Sequence, residues 1–441
     1  MAHTFKGGVH PVYSKEHTSA SPILEPRPPK EVVLPMKQHL GAELTPLVKP
    51  GDYVLMGQKV ADSDAFISAP VHASVSGYVR AVEPRLHPAG GYVQSVIIEN
   101  DYKDAGFKGP PRREDEVDNL SPDDIVQIAR ESGLVGMGGA AFPTHAKLRT
   151  ALDKGVSTLI VNGAECEPYI TSDHRAMIEY PRQIAEGIKL IMKCLCIGSA
   201  YIAIENNKPD AIETMKSVTA KTGIFVVPLS TKYPQGGEKQ LIRAIADIEV
   251  PPGKLPMDVG CAVFNVDTCA SLYRAVVLRR NLVKRVITVS GPVVRDHANI
   301  LARIGTPISY LFEMCGGFTR RPVKFVMGGP MMGVALATTD APVIKGTSSL
   351  LAFGEERAKH TPMACIRCGR CVRACPMRLM PLYINQSYGR SDFDECERLN
   401  VSDCIECGCC AYVCPSRIPL VQVMKSSKYS IAAKKKKAAK H

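Results

Sequence analysis

Cys365-Ile366-Arg367-Cys368-Gly369-Arg370-Cys371-Val372-Arg373-Ala374-Cys375-Pro376 and Cys404-Ile405-Glu406-Cys407-Gly408-Cys409-Cys410-Ala411-Tyr412-Val413-Cys414-Pro415 decide how the C-terminal part of this chain is built. Each reads C-x2-C-x2-C-x3-C-P, the spacing with which bacterial ferredoxins hold a [4Fe–4S] cluster. The first three thiolates of such a run share one tight loop. In two-cluster proteins the fourth ligates the other cluster. One ligand set is therefore Cys365, Cys368, Cys371 and Cys414, and the other is Cys404, Cys407, Cys410 and Cys375. Structural zinc, the alternative, uses two ligand pairs with a longer spacer, and two complete runs argue against it. Cys396 and Cys409 fall outside the pattern and read as packing thiols.

The chain has 441 residues, enough for three or four domains, and its 45% hydrophobic content is that of globular protein. Of 16 cysteines, the eight outside the ligand sets form no disulfide-like framework, and the N-terminus lacks the apolar core of a signal peptide. Both facts lead to the expectation of a reducing cytoplasm. No stretch approaches the ~18–20 apolar residues of a membrane span; the nearest, Gly187–Glu205, is interrupted by Lys189 and Lys193. A soluble or peripheral protein is expected. The net charge is +12. Part of it is local: Lys425, Lys428, Lys434, Lys435, Lys436, Lys437 and Lys440 crowd the end of the chain. An anionic membrane surface or an acidic protein would suit such a tail, and so would plain solvation. No nucleic-acid motif accompanies the charge, so nucleic acid is set aside.

Residues 1–30 are rich in Pro and His, lack periodicity and read as an extended arm. Residues 31–102 are short β segments with turns at Pro50-Gly51, Met56-Gly57 and Ser76-Gly77. They resemble a biotinyl/lipoyl-type β-sandwich. Such carriers need a lysine at a hairpin tip, but none occurs between Lys59 and Lys103, and Asp64 stands about where it would be. The module reads as a structural or docking element. After a charged linker, residues 113–256 alternate helices and strands, which implies a parallel sheet. Ser121 caps the first long helix. Strands are expected at Thr158–Asn162, Ala200–Ile204 and Ile224–Leu229, and helices at Ala176–Cys196 and Asp210–Lys221. Residues 257–346 read as a small α+β module, and residues 347–424 as the cluster domain. The tail, 425–441, is expected to be disordered or loosely helical.

Gly136-Met137-Gly138-Gly139-Ala140-Ala141 contains G-x-G-x-x-A. As a dinucleotide fingerprint it is misplaced, because it follows a helix rather than a first strand. It does precede a second helix, whose free N–H groups suit an anion. Asn162-Gly163-Ala164-Glu165-Cys166-Glu167-Pro168 follows one strand, and Gln235-Gly236-Gly237-Glu238-Lys239 follows another. Open α/β sheets bind ligands at the carboxyl ends of their strands, so three polar loops at one edge predict a site.

These loops, with Asn265-Val266-Asp267-Thr268, resemble the flavin-bearing NADH dehydrogenase subunit of respiratory complex I. With Phe5-Lys6-Gly7-Gly8-Val9-His10-Pro11 and Ala69–Gly77 added, nearly the whole chain resembles the C subunits of Rnf-type ion-translocating ferredoxin:NAD oxidoreductases. The resemblance implies non-covalent FMN with NAD(H) as substrate. It implies that Gly136, Gly138, Asn162, Glu165, Gly237, Glu238, Asn265 and Thr268 surround the flavin, and that Phe142, Lys147 and Glu167 face the dinucleotide. It implies a Rossmann-like FMN/NADH domain, a β-grasp (SLBB-type) module within 257–346, and an α-helical two-[4Fe–4S] ferredoxin domain. It implies membrane subunits of the same complex, a ferredoxin-type subunit and ferredoxin as partners, at the cytoplasmic face of the bacterial inner membrane. The complex I loop differs at two positions. It has Arg where Met137 stands, which weakens any borrowed phosphate contact. It has Gly where Ala141 stands, which adds a methyl near the ring.

Chemistry leads the same way. Nicotinamide passes hydride and an iron–sulfur cluster takes one electron, so a flavin belongs between them. Two alternatives differ: a soluble cobalamin reductase, in which the β-sandwich is not expected to lead, and a flavin-free ferredoxin-like carrier.

Overall fold

The computed structural model describes residues 3–106, 109–355 and 361–438. Met1, Ala2 and Lys440 lie outside them.

The β-sandwich comes first. Glu31–Pro35, Tyr92–Asn100, Gly77–Leu86 and Tyr53–Val54 form an antiparallel sheet in that order, facing a three-stranded sheet of Thr45–Pro46, Lys59–Asp62 and Val71–His72. Val32, Leu34, Val60, Val79, Val96 and Ile98 fill the space between. The hairpin tip that would carry a lysine docks instead. The Phe66 carbonyl lies 2.9 Å from His145 Nε2, and Asp62 holds Arg130 at 2.8 Å. Both partners belong to the next domain.

That domain has a parallel sheet ordered Ile224–Leu229, Ala200–Glu205, Thr158–Gly163, Cys261–Asn265. The fourth strand corrects the boundary expected at residue 256. Val250-Pro251-Pro252-Gly253 is only part of a loop that returns the chain to the sheet. Cys261–Asn265 is buried throughout, and the helix Val266–Val276 packs on Pro181–Leu195. The α/β domain therefore runs to about Val276. The helix expected over Ala176–Cys196 is two helices, Ser172–Glu179 and Pro181–Leu195, because Pro181 cannot continue the first.

The β-grasp sheet has six strands, in the order Ile23–Leu24, Ala298–Arg303, Lys284–Ser290, Ser349–Phe353, Lys324–Met327 and Val334–Leu336, with the helix Ile308–Met314 on one face. Ser349–Phe353 belongs here rather than to the cluster domain, where a boundary at residue 347 would put it. Its side chains are all buried, and it pairs with strands on both sides.

The cluster domain is built of short helices closed by Leu420–Ala438. The tail is thus helical as far as Ala438. Ser427 and Ile431 are buried, and Lys428 and Lys434 pair with Glu406 (2.7 Å) and Asp394 (2.5 Å). Burial and ion pairing together supply what the lysine-rich composition lacks on its own.

The N-terminal arm laces these units together. Val9 pairs with Tyr233 of the α/β domain, Gly8 donates to the Ala374 carbonyl of the cluster domain at 2.9 Å, and Ile23–Leu24 joins the β-grasp sheet. At Gly7 (φ 82°) a Cβ would come within 2.7 Å of the Cys375 carbonyl, so only glycine fits this crossing.

Candidate functional site

Asn162 and Asn265 stand side by side at the carboxyl ends of adjacent parallel strands. The chain leaves the strand Thr158–Gly163 toward Ala200–Glu205 and later returns on its other side, so this is the topological switch point where such sheets open a crevice. Asn162 donates to the Gly236 carbonyl at 2.9 Å. The Asn265 side chain caps the helix Val266–Val276, accepting from the N–H groups of Asp267 and Thr268, and donates to Asp173 at 2.6 Å. The glycine loop closes the crevice from above: the Met137 N–H donates to Thr268 Oγ1 at 2.9 Å, and Gly136 donates to the Phe142 carbonyl. Gly138 is exposed at the mouth, and a Cβ there would face Asn265 Cβ at 3.6 Å. Lys147, in the first turn of Thr144–Asp153, holds Glu238, the first residue of Glu238–Ala246, at 2.7 Å. Gly237 caps that helix. Three helix N-termini therefore meet around one exposed glycine loop. Their combined positive potential fits a phosphate-bearing ligand such as FMN or NAD(H).

The two replacements expected in the glycine loop relative to complex I fall on buried positions; the third, Lys239 where that motif has Glu, lies in Glu238–Ala246. Met137 is buried in the core, so the position offers no side chain to a ligand. Ala141 is also buried, in the left-handed region at φ 49°, and its methyl lies against Gly346 of the β-grasp module rather than at the mouth. Glycine is the residue usual in that conformation.

Glu165 and Glu167 hold protein segments. Glu165 accepts from the N–H groups of Asp173 (2.8 Å) and His174 (3.3 Å) at the start of Ser172–Glu179. Beneath it, Lys15 of the arm and Lys208 both donate to its carbonyl. Burial lowers the Lys15 pKa to about 8, with Lys208 adding to the effect. Glu167 accepts from Met331 (3.1 Å) and Met332 (2.9 Å), tying down the loop of the β-grasp module, and burial pushes its carboxyl up to about 7. Sequence reasoning missed Asp173, Arg285 and Lys15. Asp173 is driven well above the usual carboxylate range by burial beside Glu165 and Asp267. Arg285, fully buried, donates to the Met137 carbonyl at 3.3 Å. Asp173 sits in a helix first turn and Arg285 in a strand, so neither carries a motif; only the fold brings them to the crevice.

The eight motif cysteines divide four and four. Cys375, Cys404, Cys407 and Cys410 line one cavity, and Cys365, Cys368, Cys371 and Cys414 line another. Each cavity thus takes three thiols from one run and the fourth from the other. Four thiols grouped in this crossed way are the donor set with which two-cluster ferredoxins hold each [4Fe–4S] cluster. Cys409 borders the first cavity, but its thiol donates to the Tyr233 carbonyl (3.8 Å), and Cys396 donates to the Ile384 carbonyl (3.7 Å). The first cavity abuts the α/β domain: Val9, Cys166, Tyr233, Ala374, Cys407 and Cys409 form one apolar cluster with Met331 packed on it.

Four family descriptions match the chain: the RnfC barrel sandwich hybrid domain over residues 3–103, the Nuo51 FMN-binding domain over 129–274, the SLBB domain over 286–335 and the 4Fe-4S dicluster domain over 364–418. The chain is 45% identical to the C subunit of the Na(+)-translocating ferredoxin:NAD(+) oxidoreductase complex of Acetobacterium woodii, over 98% of both chains. It is 46% identical to the proton-translocating counterpart of Clostridium ljungdahlii, over 86% of this chain and 83% of that one. It is 41% identical to the C subunit of the ion-translocating oxidoreductase complex of Rhodobacter capsulatus, over 96% and 82%. These matches favour neither the cobalamin reductase nor the flavin-free carrier. No helix among the described residues is long and apolar enough to cross a membrane. With an FMN-binding domain and a 4Fe-4S dicluster domain in one polypeptide, the chain belongs to the family of C subunits of ion-translocating ferredoxin:NAD oxidoreductase complexes.

Proposed function

We propose that this chain is the NAD(H)-oxidoreducing subunit of such a complex, with one FMN in the crevice and two [4Fe–4S] clusters in the C-terminal cavities. The carrying observation is the placement of the Asn162–Asn265 crevice and two four-thiol cavities in one chain, with one cavity against the crevice-bearing domain. When bound, FMN exchanges a hydride with nicotinamide and single electrons with iron–sulfur centres. The protein positions the reactants. Gly136 and Gly138 leave room for the flavin, and Asn162, Gly237, Glu238, Asn265 and Thr268 shape the crevice and present helix N-termini to phosphate. Glu165 and Glu167 hold the floor, while Phe142 and Lys147 stand on the dinucleotide side.

Cys365, Cys368, Cys371 and Cys414 would hold one cluster, and Cys404, Cys407, Cys410 and Cys375 the other. The subunit sits peripherally at the cytoplasmic face, among membrane subunits and a ferredoxin-type subunit of a complex that exchanges electrons with ferredoxin. Lys436 and Lys437 stay exposed on the tail helix and keep open a contact with anionic lipid. The deciding experiment is anaerobic titration of the purified chain with NADH. Flavin absorbance that bleaches stoichiometrically supports the reading; a colourless or unbleached flavin region overturns it.

A further inference from the structure

The cluster domain separates its charge. From Thr361 to Arg390 there are five arginines, Arg367, Arg370, Arg373, Arg378 and Arg390, and no Asp, Glu or Lys. All five are exposed, and none is paired with a carboxylate among the described residues. The other half behaves differently. Four of its six acids are met by the chain's own cations: Glu406 by Lys428, Asp394 by Lys434, Glu397 by Lys435 and Glu395 by Arg398. The two cavities differ in cover as well. The Cys375/Cys404/Cys407/Cys410 cavity lies against the arm, Tyr233 and Met331. Around the other, Cys365 and Cys368 are exposed, and Met363 and Ile366 are 62% and 67% exposed. Met380 and Tyr383, farther along, are also about half exposed.

We propose that this arginine-rich segment, which lines the Cys365/Cys368/Cys371/Cys414 cavity through Arg367 and Arg370, is a docking surface for an acidic protein, a neighbouring subunit of the same complex. The proposal rests on the reading that the cavities are redox sites. The composition points to a lasting protein interface. Arg, Met and Tyr are enriched in interfaces while Lys is depleted, and here every cation is Arg and the exposed apolar side chains are Met, Ile and Tyr. A guanidinium presents a flat fork that matches a carboxylate in bidentate fashion. The tail meets the chain's own surface acids with Lys428, Lys434 and Lys435 instead. A segment with five arginines that meet no carboxylate among the described residues repels a basic partner and attracts an acidic one.

Two measurements on the intact complex test this. In the first, Met363 and Met380 are labelled by brief hydroxyl-radical exposure in the isolated chain and in the assembled complex. Protection of both on assembly is expected; equal labelling overturns the proposal. In the second, a tagged chain carrying Arg373→Glu, Arg378→Glu and Arg390→Glu is used to pull down the complex. A control carries Lys436→Glu and Lys437→Glu. Co-purifying subunits should fall about ten-fold for the arginine set at moderate salt and little for the control. No loss, or equal loss for both sets, overturns an acidic partner at this face. Iron content and bleaching of the flavin by NADH are read on the same preparations. If bleaching fails in the unsubstituted chain, the functional reading fails; if bleaching holds without protection, only the docking surface is wrong.

Discussion

The Tyr233 hydroxyl donates to the Cys407 carbonyl at 2.7 Å, across the boundary between the α/β domain and the second cysteine run. Tyr233 is almost fully buried, and its own backbone pairs with Val9 of the arm. One side chain thus fixes the spacing between the crevice-bearing domain and a four-thiol cavity. Tyr233→Phe removes the hydroxyl and leaves the carbonyl without that donor, a cost of about 1–3 kcal/mol. Amide exchange across 404–414 should quicken while exchange in the sheet strand Thr158–Gly163 stays slow. Unchanged exchange in the cysteine run would show that the bond does not hold the two domains in place.

Cys375→Ser tests the crossed ligand sets. Cys375 belongs to the first run but lines the cavity of Cys404, Cys407 and Cys410. Iron should fall from about eight toward about four per chain. The lost paramagnetic signal should be the one that Cys404→Ser also removes. If Cys375→Ser instead matches Cys365→Ser, the sets are not crossed.

Much of this was legible because local pattern and chemistry agree. The Cys-x-x-Cys spacing groups the eight thiols four and four as the two cavities do, and Ile224–Leu229 is an apolar run bounded by turns. Boundaries failed where a sequence signal had two structural meanings. Val250–Pro256 has the composition of a linker yet only returns the chain to Cys261–Asn265. Lys434 and Lys435 look like a solvated run until Asp394 and Glu397 are seen opposite them. Buried charged groups were invisible for another reason. Arg285 and Lys345 lie in segments whose neighbours give no sign that two or three domains close over them.

The tail helix gives the third prediction. Truncation after Lys425 removes buried Ser427 and Ile431 together with the partners of Glu406, Asp394 and Glu397. Burying one Ile is worth about 1.5–3 kcal/mol, and the exposed pairs add little. The truncated chain should therefore bind less iron at a given temperature. Weaker salt-sensitive binding to acidic vesicles is the second expected loss. Vesicle binding that falls while iron retention is unchanged would show a tail that docks without supporting the domain.

Lys345 joins three domains. From the β-grasp module its buried Nζ donates to the carbonyls of Pro70 (2.6 Å) in the β-sandwich and Gly133 (2.7 Å) in the α/β domain. Burial lowers its pKa to about 7, opposed only by Asp62. Beside it, burial and then the Lys345 charge pull His39 and His72 down to about 4 and about 3. An unfolded lysine stays protonated to about pH 10.4. Between about pH 7 and that value the unfolded chain binds more protons, so stability rises with pH. The penalty is fully present below about pH 7, and the histidines act in the same direction below about pH 6.5. Thermal midpoints should climb from about pH 6.5 to about pH 9. Lys345→Met should flatten that climb, leaving the smaller slope due to Lys15. It should also lower the midpoint at about pH 9, because two carbonyls lose their donor. An equal slope in wild type and Lys345→Met would assign the titration to other groups.

The flavin crevice gives the last prediction. Gly138 is exposed at its mouth, and the nearest atoms an added Cβ would meet belong to Asn265, at 3.6 Å. A small side chain therefore fits beside Asn265, while a large one must enter the space between the glycine loop and the strand ends. Gly138→Trp should exclude FMN by sterics and abolish NADH-dependent reduction of any acceptor. Gly138→Ala should keep both in large part. The cluster domain is a separate packing unit with its own apolar core around Leu379, Ile384, Val423 and Met424, so its iron should be retained and reducible by dithionite in both variants. Glu165→Gln should fall between them. The amide keeps an acceptor oxygen for the N–H groups of Ser172–Glu179 but loses the charge that favours the helix N-terminus, a loss of about 0.3–1 kcal/mol. Stopped-flow spectra separate the outcomes. Should NADH reduce the clusters of flavin-free Gly138→Trp at the wild-type rate, hydride enters elsewhere and the crevice between Asn162 and Asn265 is not its site.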